Sequence, residues 1–115
     1  MDAFEQLDVW KRSSRLCVDV HKACRGCGDA GFRDQITRAA LSVPSNIAEG
    51  YERNSRSAFV QFLKIAKGSC GELRTQLYIG IEIGLLERSV AKACIAEAAE
   101  ISKMLQGLIN RLPPN

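Results

Sequence analysis

Four long segments with apolar residues at three- or four-residue spacing restrict this chain more than any other feature. That spacing is typical of α-helices with one buried face, and short stretches rich in glycine, serine, asparagine or proline separate the segments. Only 3 prolines and 9 glycines occur in 115 residues, so long helices can form with few interruptions. Amphipathic helices joined by short connections pack as bundles. The sequence therefore predicts an all-α, antiparallel up-down four-helix bundle, with one domain over residues 1–115.

The first segment predicts a helix over residues 5–25. It ends at a loop from Arg25 to Gly31, in which three glycines occur. Because they step by three or four residues, six side chains are expected on its buried face: Leu7, Trp10, Ser14, Cys17, His21 and Cys24.

The second segment has a proline, Pro44, inside its apolar pattern. A proline within a helix removes one backbone hydrogen bond and usually kinks the helix. Because the apolar register is the same on both sides, we favour one kinked helix that ends near Gly50. A break at Ser42 or Val43, with Pro44 in the first turn of a new helix, is the alternative.

The third and fourth segments have clear boundaries. Ser55 is the predicted N-cap of the third helix, which should end near Gly84, while Ser89 could cap the fourth helix before Pro113 ends it. Glycines within a helix cost stability, so those of the third segment indicate the close approach of another helix: Gly68, Gly71, Gly80 and Gly84.

Two observations predict a cytoplasmic protein without a membrane partner. The first residues are acidic and polar, unlike a secretory signal, and no stretch approaches the roughly 18 apolar residues of a membrane span. The 5 cysteines fit a compartment where thiols stay reduced.

The cysteines and the single histidine limit metal chemistry. A di-iron bundle needs two Glu-x-x-His motifs, which one histidine, His21, cannot supply within one chain. The pair Cys24 and Cys27 forms a Cys-x-x-Cys, but no second pair and no preceding strand accompany it. We therefore expect no metal and no cofactor, with Cys17 as a small core residue. Zinc binding or thiol exchange at Cys17, His21, Cys24 and Cys27 is the alternative.

A polar stripe runs beside the apolar faces of the second and third helices. It comprises Gln35, Arg38, Ser42, Asn46, Glu49, Ser69 and Glu72. We favour a structural network that satisfies the carbonyl freed by Pro44 and fixes helix register. A ligand or catalytic pocket around Glu49 and Glu72 is the alternative, but no nucleophile–base pair accompanies them, so no enzyme is expected.

Positive charge is concentrated in one part of a chain of net charge +3. Residues 53–74 contain five cations and one carboxylate. Three of the cations follow helical steps, which predicts a basic face on the third helix. A solvated surface and phosphate-led binding of RNA or DNA with little sequence selectivity are both consistent with it. The candidate binding residues are Arg53, Arg56, Lys64, Lys67 and Arg74.

Three stretches of the chain resemble one known family. They are residues 4–11, 35–50 and 62–73, and the second contains the specific run from Ser42 to Gly50. They are similar to bacterial four-helix-bundle proteins first noticed in intervening sequences of large-subunit ribosomal RNA genes. The chain departs from the family in its first loop, Cys24 to Phe32, which is rich in glycine and cysteine.

The resemblance implies an up-down four-helix bundle that commonly assembles into a ring of five subunits and has no established enzymatic activity. A related branch, the accessory protein of diversity-generating retroelements, binds nucleic acid and the reverse transcriptase. We therefore expect a non-enzymatic cytoplasmic assembly protein whose partner is itself, as a homopentamer. A basic accessory protein that binds nucleic acid is the alternative.

Overall fold

Four helices account for most of residues 3–113, the part of the chain that the structure, a computed structural model, describes. After a short 3-10 turn, the helices are α1 (Asp8–Ala23), α2 (Ala30–Glu52), α3 (Arg56–Glu82) and α4 (Arg88–Arg111). Each of α1 and α3 packs against both α2 and α4, in a body of 46 × 21 × 19 Å. This arrangement confirms the predicted all-α four-helix bundle.

The buried face of α1 is rotated from the one that the sequence predicted. Its buried side chains include those of Val9, Ser13, Leu16 and Val20, whereas His21 is exposed. The bundle buries the branched apolar side chains beside the predicted stripe, because they remove more apolar surface from water than the polar members of that stripe. Cys17 and Cys24 lie at the margin shared by both faces and are buried as predicted.

The structure confirms one uninterrupted α2 with the buried Pro44 inside it. The helix continues past Gly50 to Glu52, so the predicted end is wrong by half a turn. Gly50 instead allows α3 to come close, because a Cβ atom there would lie 2.5 Å from the Cβ of Phe62.

Side-chain caps begin three of the helices. The carboxylate of Asp29 accepts the N–H of Phe32 at 2.9 Å at the start of α2, and Ser55 caps α3 as predicted. The cap of α4 is Glu87 rather than Ser89. Two carboxylate oxygens of Glu87 accept both the N–H and the hydroxyl of Ser89, each at 2.7 Å, which lowers the pKa of Glu87.

The glycines of the third segment have different surroundings. A methyl group on Gly80 would meet Leu86 at 2.6 Å, and Gly84 ends the helical run with a φ of +79°. A methyl group on Gly68 or Gly71 would meet nothing within 4 Å. Gly84 likewise has nothing within 4 Å, so the predicted close approach of another helix is wrong for Gly68, Gly71 and Gly84 within this chain.

The core runs the length of the bundle between all four helices. Its largest fully buried side chains include Ile36, Ile47, Leu63, Leu73, Leu77, Ile101 and Leu105. Within residues 3–113, no helix has the length and apolar character needed to cross a membrane.

Candidate functional site

A polar groove of about 540 Å³ lies between α2 and α3. It contains six of the seven residues of the predicted polar stripe, and Ile65, Ala39 and Asp34 complete its lining. The six are Gln35, Arg38, Ser42, Asn46, Ser69 and Glu72.

The side chains of the polar groove bond within their own helix rather than across it. Ser42 donates its hydroxyl to the carbonyl of Ala39 at 2.8 Å, and Asn46 donates to the carbonyl of Ser42 at 2.7 Å. The Ser42 bond reaches the carbonyl one residue before the one that Pro44 leaves free. Within residues 3–113, no ion pair joins Arg38 to Glu72. Asp34, Arg38 and Glu72, the charged residues of the groove, are all exposed.

The seventh stripe residue, Glu49, lies outside the polar groove. Its carboxylate pairs with Arg53 one helical turn away, at 2.7 Å. The guanidinium of Arg53 also stands 5.0 Å from the centre of the Phe62 ring, a cation–π distance. The alternative of one pocket around Glu49 and Glu72 therefore finds no support, since only Glu72 lines the groove.

A basic groove of about 570 Å³ lies on the other flank of α3, against α4. Lys64, Lys67 and Arg74 line it with the open glycines 68 and 71, while Ser102 and Gln106 contribute from α4. Lys67 donates to the Oε1 atom of Gln106 at 2.8 Å. Within the described part of the chain no carboxylate lines this groove, so its net charge is positive.

The other two predicted cations lie elsewhere. Arg53 is engaged with Glu49 and Phe62, and Arg56 lines a separate cleft near the α2–α3 connection. The five cations of residues 53–74 therefore divide into a set of three in the basic groove and two near the end of the bundle.

An isoleucine stripe of three exposed side chains runs beside the polar groove. Ile65, Ile79 and Ile83 are 45%, 48% and 56% exposed. Ile65 and Ile79 lie two heptads apart on one line of α3, with Glu72 between them, and Ile83 continues that line one residue past the end of the helix at Glu82. The sequence did not reveal this stripe because only one apolar line was followed along the segment, and the three isoleucines lie off that line. A second apolar line, offset from the first, was the signal that could have shown it.

A salt bridge between distant parts of the sequence joins α1 to α4. Two guanidinium nitrogens of Arg12 meet the two carboxylate oxygens of Glu97 at 2.8 and 2.6 Å. These hydrogen bonds hold the pKa of Glu97 below its ordinary value. Because the partners are 85 positions apart, no local pattern in the sequence indicates them.

The thiols are mostly inside the bundle. Cys17, Cys24, Cys70 and Cys94 are buried, and burial raises the pKa of each, that of Cys70 to about 11. Among the described residues, no three of the His, Cys, Asp and Glu side chains are grouped so that they could hold a metal ion. The alternative set of Cys17, His21, Cys24 and Cys27 is thus not gathered into one site.

Comparison with known proteins decides the family. Residues 5–107 match the sequence profile of the 23S rRNA-intervening sequence protein family. The chain belongs to this family. Both grooves and the isoleucine stripe lie inside the matched residues, so they are part of the family domain.

A solved structure is similar to that of this family member. It is a crystal structure of a protein of unknown function from the S23 ribosomal protein family of Bacteroides thetaiotaomicron VPI-5482. The similarity has a TM-score of 0.81 and 25% sequence identity, and it covers 88% of this chain and 97% of that one. The comparison with curated proteins gives no match.

Proposed function

We propose that this protein is a non-enzymatic cytoplasmic assembly protein whose copies form a closed ring, a homopentamer as the family resemblance implies. The observation that carries the proposal is the isoleucine stripe, in which Ile65, Ile79 and Ile83 each keep about half of their surface in water. Full burial of an isoleucine stabilises by about 1.5–3 kcal/mol. Covering the exposed part of three of them would therefore contribute a few kcal/mol to association.

The surroundings of the stripe suit contact with a second copy of the chain. Ile65 also lines the polar groove, so the apolar line continues into a surface that offers Arg38 and Glu72 without an ion pair between them. Interfaces combine apolar and polar contacts in this way. In a ring, the stripe of one copy would meet a different surface of the next.

Light scattering on the full chain at micromolar concentration tests the ring. We expect a mass five times the 12.6 kDa subunit, and we expect Ile79→Lys to give smaller species, because a cation in the contact would be desolvated. Val18→Lys, at a residue 43% exposed on α1, is the matched control. A wild-type mass of one subunit would refute the proposal. If Ile79→Lys and Val18→Lys dissociated equally, the isoleucine stripe would not be the contact between copies.

A second candidate function is phosphate-led binding of RNA or DNA in the basic groove. Lys64, Lys67 and Arg74 line one groove, and the open positions Gly68 and Gly71 leave room for a nucleic-acid backbone near the α3 main chain. A ring would repeat this patch in every subunit and so strengthen the field that attracts polyanions.

Binding of short single-stranded RNA, followed by fluorescence anisotropy against salt, tests this candidate. Changing Lys64, Lys67 and Arg74 together to Glu should abolish binding at low salt. If the three contacts act within one groove, they contribute about −2 to the slope of log affinity against log salt. The control variant changes three exposed cations of α1 to Glu, so it has the same net charge as the groove variant. These cations are Lys11, Arg15 and Lys22. Equal losses in both variants would show that net charge, and not the groove, binds RNA.

A further inference from the structure

The connection between α1 and α2 contains a hydrogen-bonded turn whose first and last residues are cysteines. The N–H of Cys27 donates to the carbonyl of Cys24 at 3.0 Å, and Gly26 has a φ of +77°. A positive φ at the third position is what a type II turn requires, and such turns hold their end Cα atoms within about 7 Å. A disulfide spans Cα separations of about 4.4–6.8 Å. The backbone therefore already keeps these two cysteines near disulfide distance.

Only one of the two thiols is open to reagents. Cys24 is 1% exposed and belongs to the core, whereas Cys27 is partly exposed. The thiol of Cys27 contacts the carbonyl of Asp29 at 3.7 Å, which is a weak hydrogen bond. The four other cysteines of the chain are buried. A reagent in solution therefore reaches Cys27 before any other thiol.

The charges around Cys27 favour an anionic reagent. Arg33 donates from its guanidinium to the carbonyl of Cys27 at 3.3 Å, and Arg25 is exposed within the turn. The nearby carboxylate, Asp29, is engaged as the cap of α2. Cations beside a thiol attract carboxylate-bearing molecules.

We propose that Cys27 is a thiol-modification site for small, anionic disulfides of the glutathione class, and that Cys24 resolves the adduct to a Cys24–Cys27 disulfide. The Cys27 thiolate attacks one sulfur of the small disulfide, which forms a mixed disulfide and releases one small thiolate. The Cys24 thiolate then attacks the sulfur of Cys27, and the second small thiolate leaves. The two protein thiols lose two electrons and two protons, and the small disulfide is reduced to two thiols.

The burial of Cys24 separates the two steps in time. Its side chain must leave the core, and burial raises the pKa of its thiol, so the second attack follows opening of the last turn of α1. Attack by Cys27 needs no such opening. The mixed disulfide therefore accumulates before the turn closes.

Intact-mass spectrometry of the reduced full chain after incubation with oxidised glutathione tests the proposal, with peptide mapping to locate the adduct. We expect one glutathionyl group on Cys27, followed by a product that lacks it and is two hydrogens lighter than the reduced protein. Low urea should accelerate only the second step. Cys24→Ala should stop at the mixed disulfide, and Cys27→Ser should slow modification by about tenfold or more, because the remaining thiols react only after local opening.

Cys94→Ala, which removes a buried thiol of α4 outside the turn, is the control and should react as the wild type does. Three results would overturn the proposal: modification spread over the buried cysteines, an unchanged rate in Cys27→Ser, or closure to a disulfide in Cys24→Ala. Circular dichroism measures the helix content of each variant, so that only folded variants are compared.

Discussion

The two flanks of α3 face different chemistry, although one helix supplies both. Toward α2 it presents Ile65 and Glu72 to a groove of polar side chains, and toward α4 it presents Lys64 and Arg74 to a groove without carboxylates among the described residues. Lys64 and Ile65 are adjacent in sequence, but consecutive helical residues point about 100° apart. A single helix can thus separate a surface suited to self-association from one suited to polyanions.

The same two regions use glycine in opposite ways. Gly50 of α2 is buried against Phe62, so α2 and α3 approach closely at that level. Gly68 and Gly71 have open space, and they form part of the basic groove. Glycine in a helix therefore indicates close packing on one side of α3 and an open surface on the other.

The largest difference in unfolding free energy is expected between a substitution in the core beneath the grooves and one in the isoleucine stripe at the surface. Leu73→Ala should lower the free energy of unfolding by about 2–5 kcal/mol, because Leu73 is fully buried and its loss leaves a cavity. Ile65→Ala, on the same helix, should cost less than about 1 kcal/mol in the isolated subunit, since Ile65 is about half exposed. Urea unfolding at low protein concentration measures both. Similar losses would mean that the stripe supports the subunit fold itself.

The next largest difference in stability is expected between a glycine packed against another helix and a glycine at the open surface. Gly50→Ala should destabilise by about 1–3 kcal/mol, because its methyl group would overlap Phe62. Gly68→Ala should stabilise by up to about 1 kcal/mol, since alanine favours the helix and meets nothing there. Thermal unfolding followed by circular dichroism shows the sign of each change. A stabilising Gly50→Ala would contradict the close approach of α2 and α3.

The smallest effect is expected from charge across the helix interfaces. Because Arg12 lowers the folded-state pKa of Glu97 below its ordinary value of 4.5, the pair stabilises fully above that value and the contribution is lost as pH falls through the lower, folded-state pKa. Both side chains are partly exposed, so the contribution is about 1 kcal/mol or less.

Between pH 7 and pH 3, urea unfolding should show a smaller loss of unfolding free energy in Glu97→Gln than in the wild type, while the loss that comes from Glu87, whose pKa is also lowered, remains in both. Glu72→Gln is the control, because Glu72 has no ion pair within residues 3–113 and should leave the loss unchanged. If Glu72→Gln reduced the loss of unfolding free energy as well, Glu72 would make a comparable interaction in the polar groove.

The sequence was sufficient for the fold, and it indicated which polar residues share a helix face, but it did not indicate their contacts. Helical spacing placed Arg38 and Ser42 in one stripe, and that spacing is a local property which the bundle preserves. The bridge from Arg12 to Glu97 depends on which helices become neighbours, so no local pattern contains it. The predicted buried face of α1 is wrong because two offset lines of apolar residues run along this helix. Only packing against α2 and α4 decides which line is buried.

Pro44 divides the hydrogen-bond ladder of α2 between Ser42 and Asn46, two residues that line the polar groove. A proline supplies no N–H, so the turn before it is held by one bond fewer than the turns around it. The core nevertheless holds both halves of the groove wall, because Ile36 and Ala40 before Pro44 and Ile47 after it are all buried. A partner that docks in the polar groove would therefore meet a wall whose position is fixed by the core on both sides of the proline.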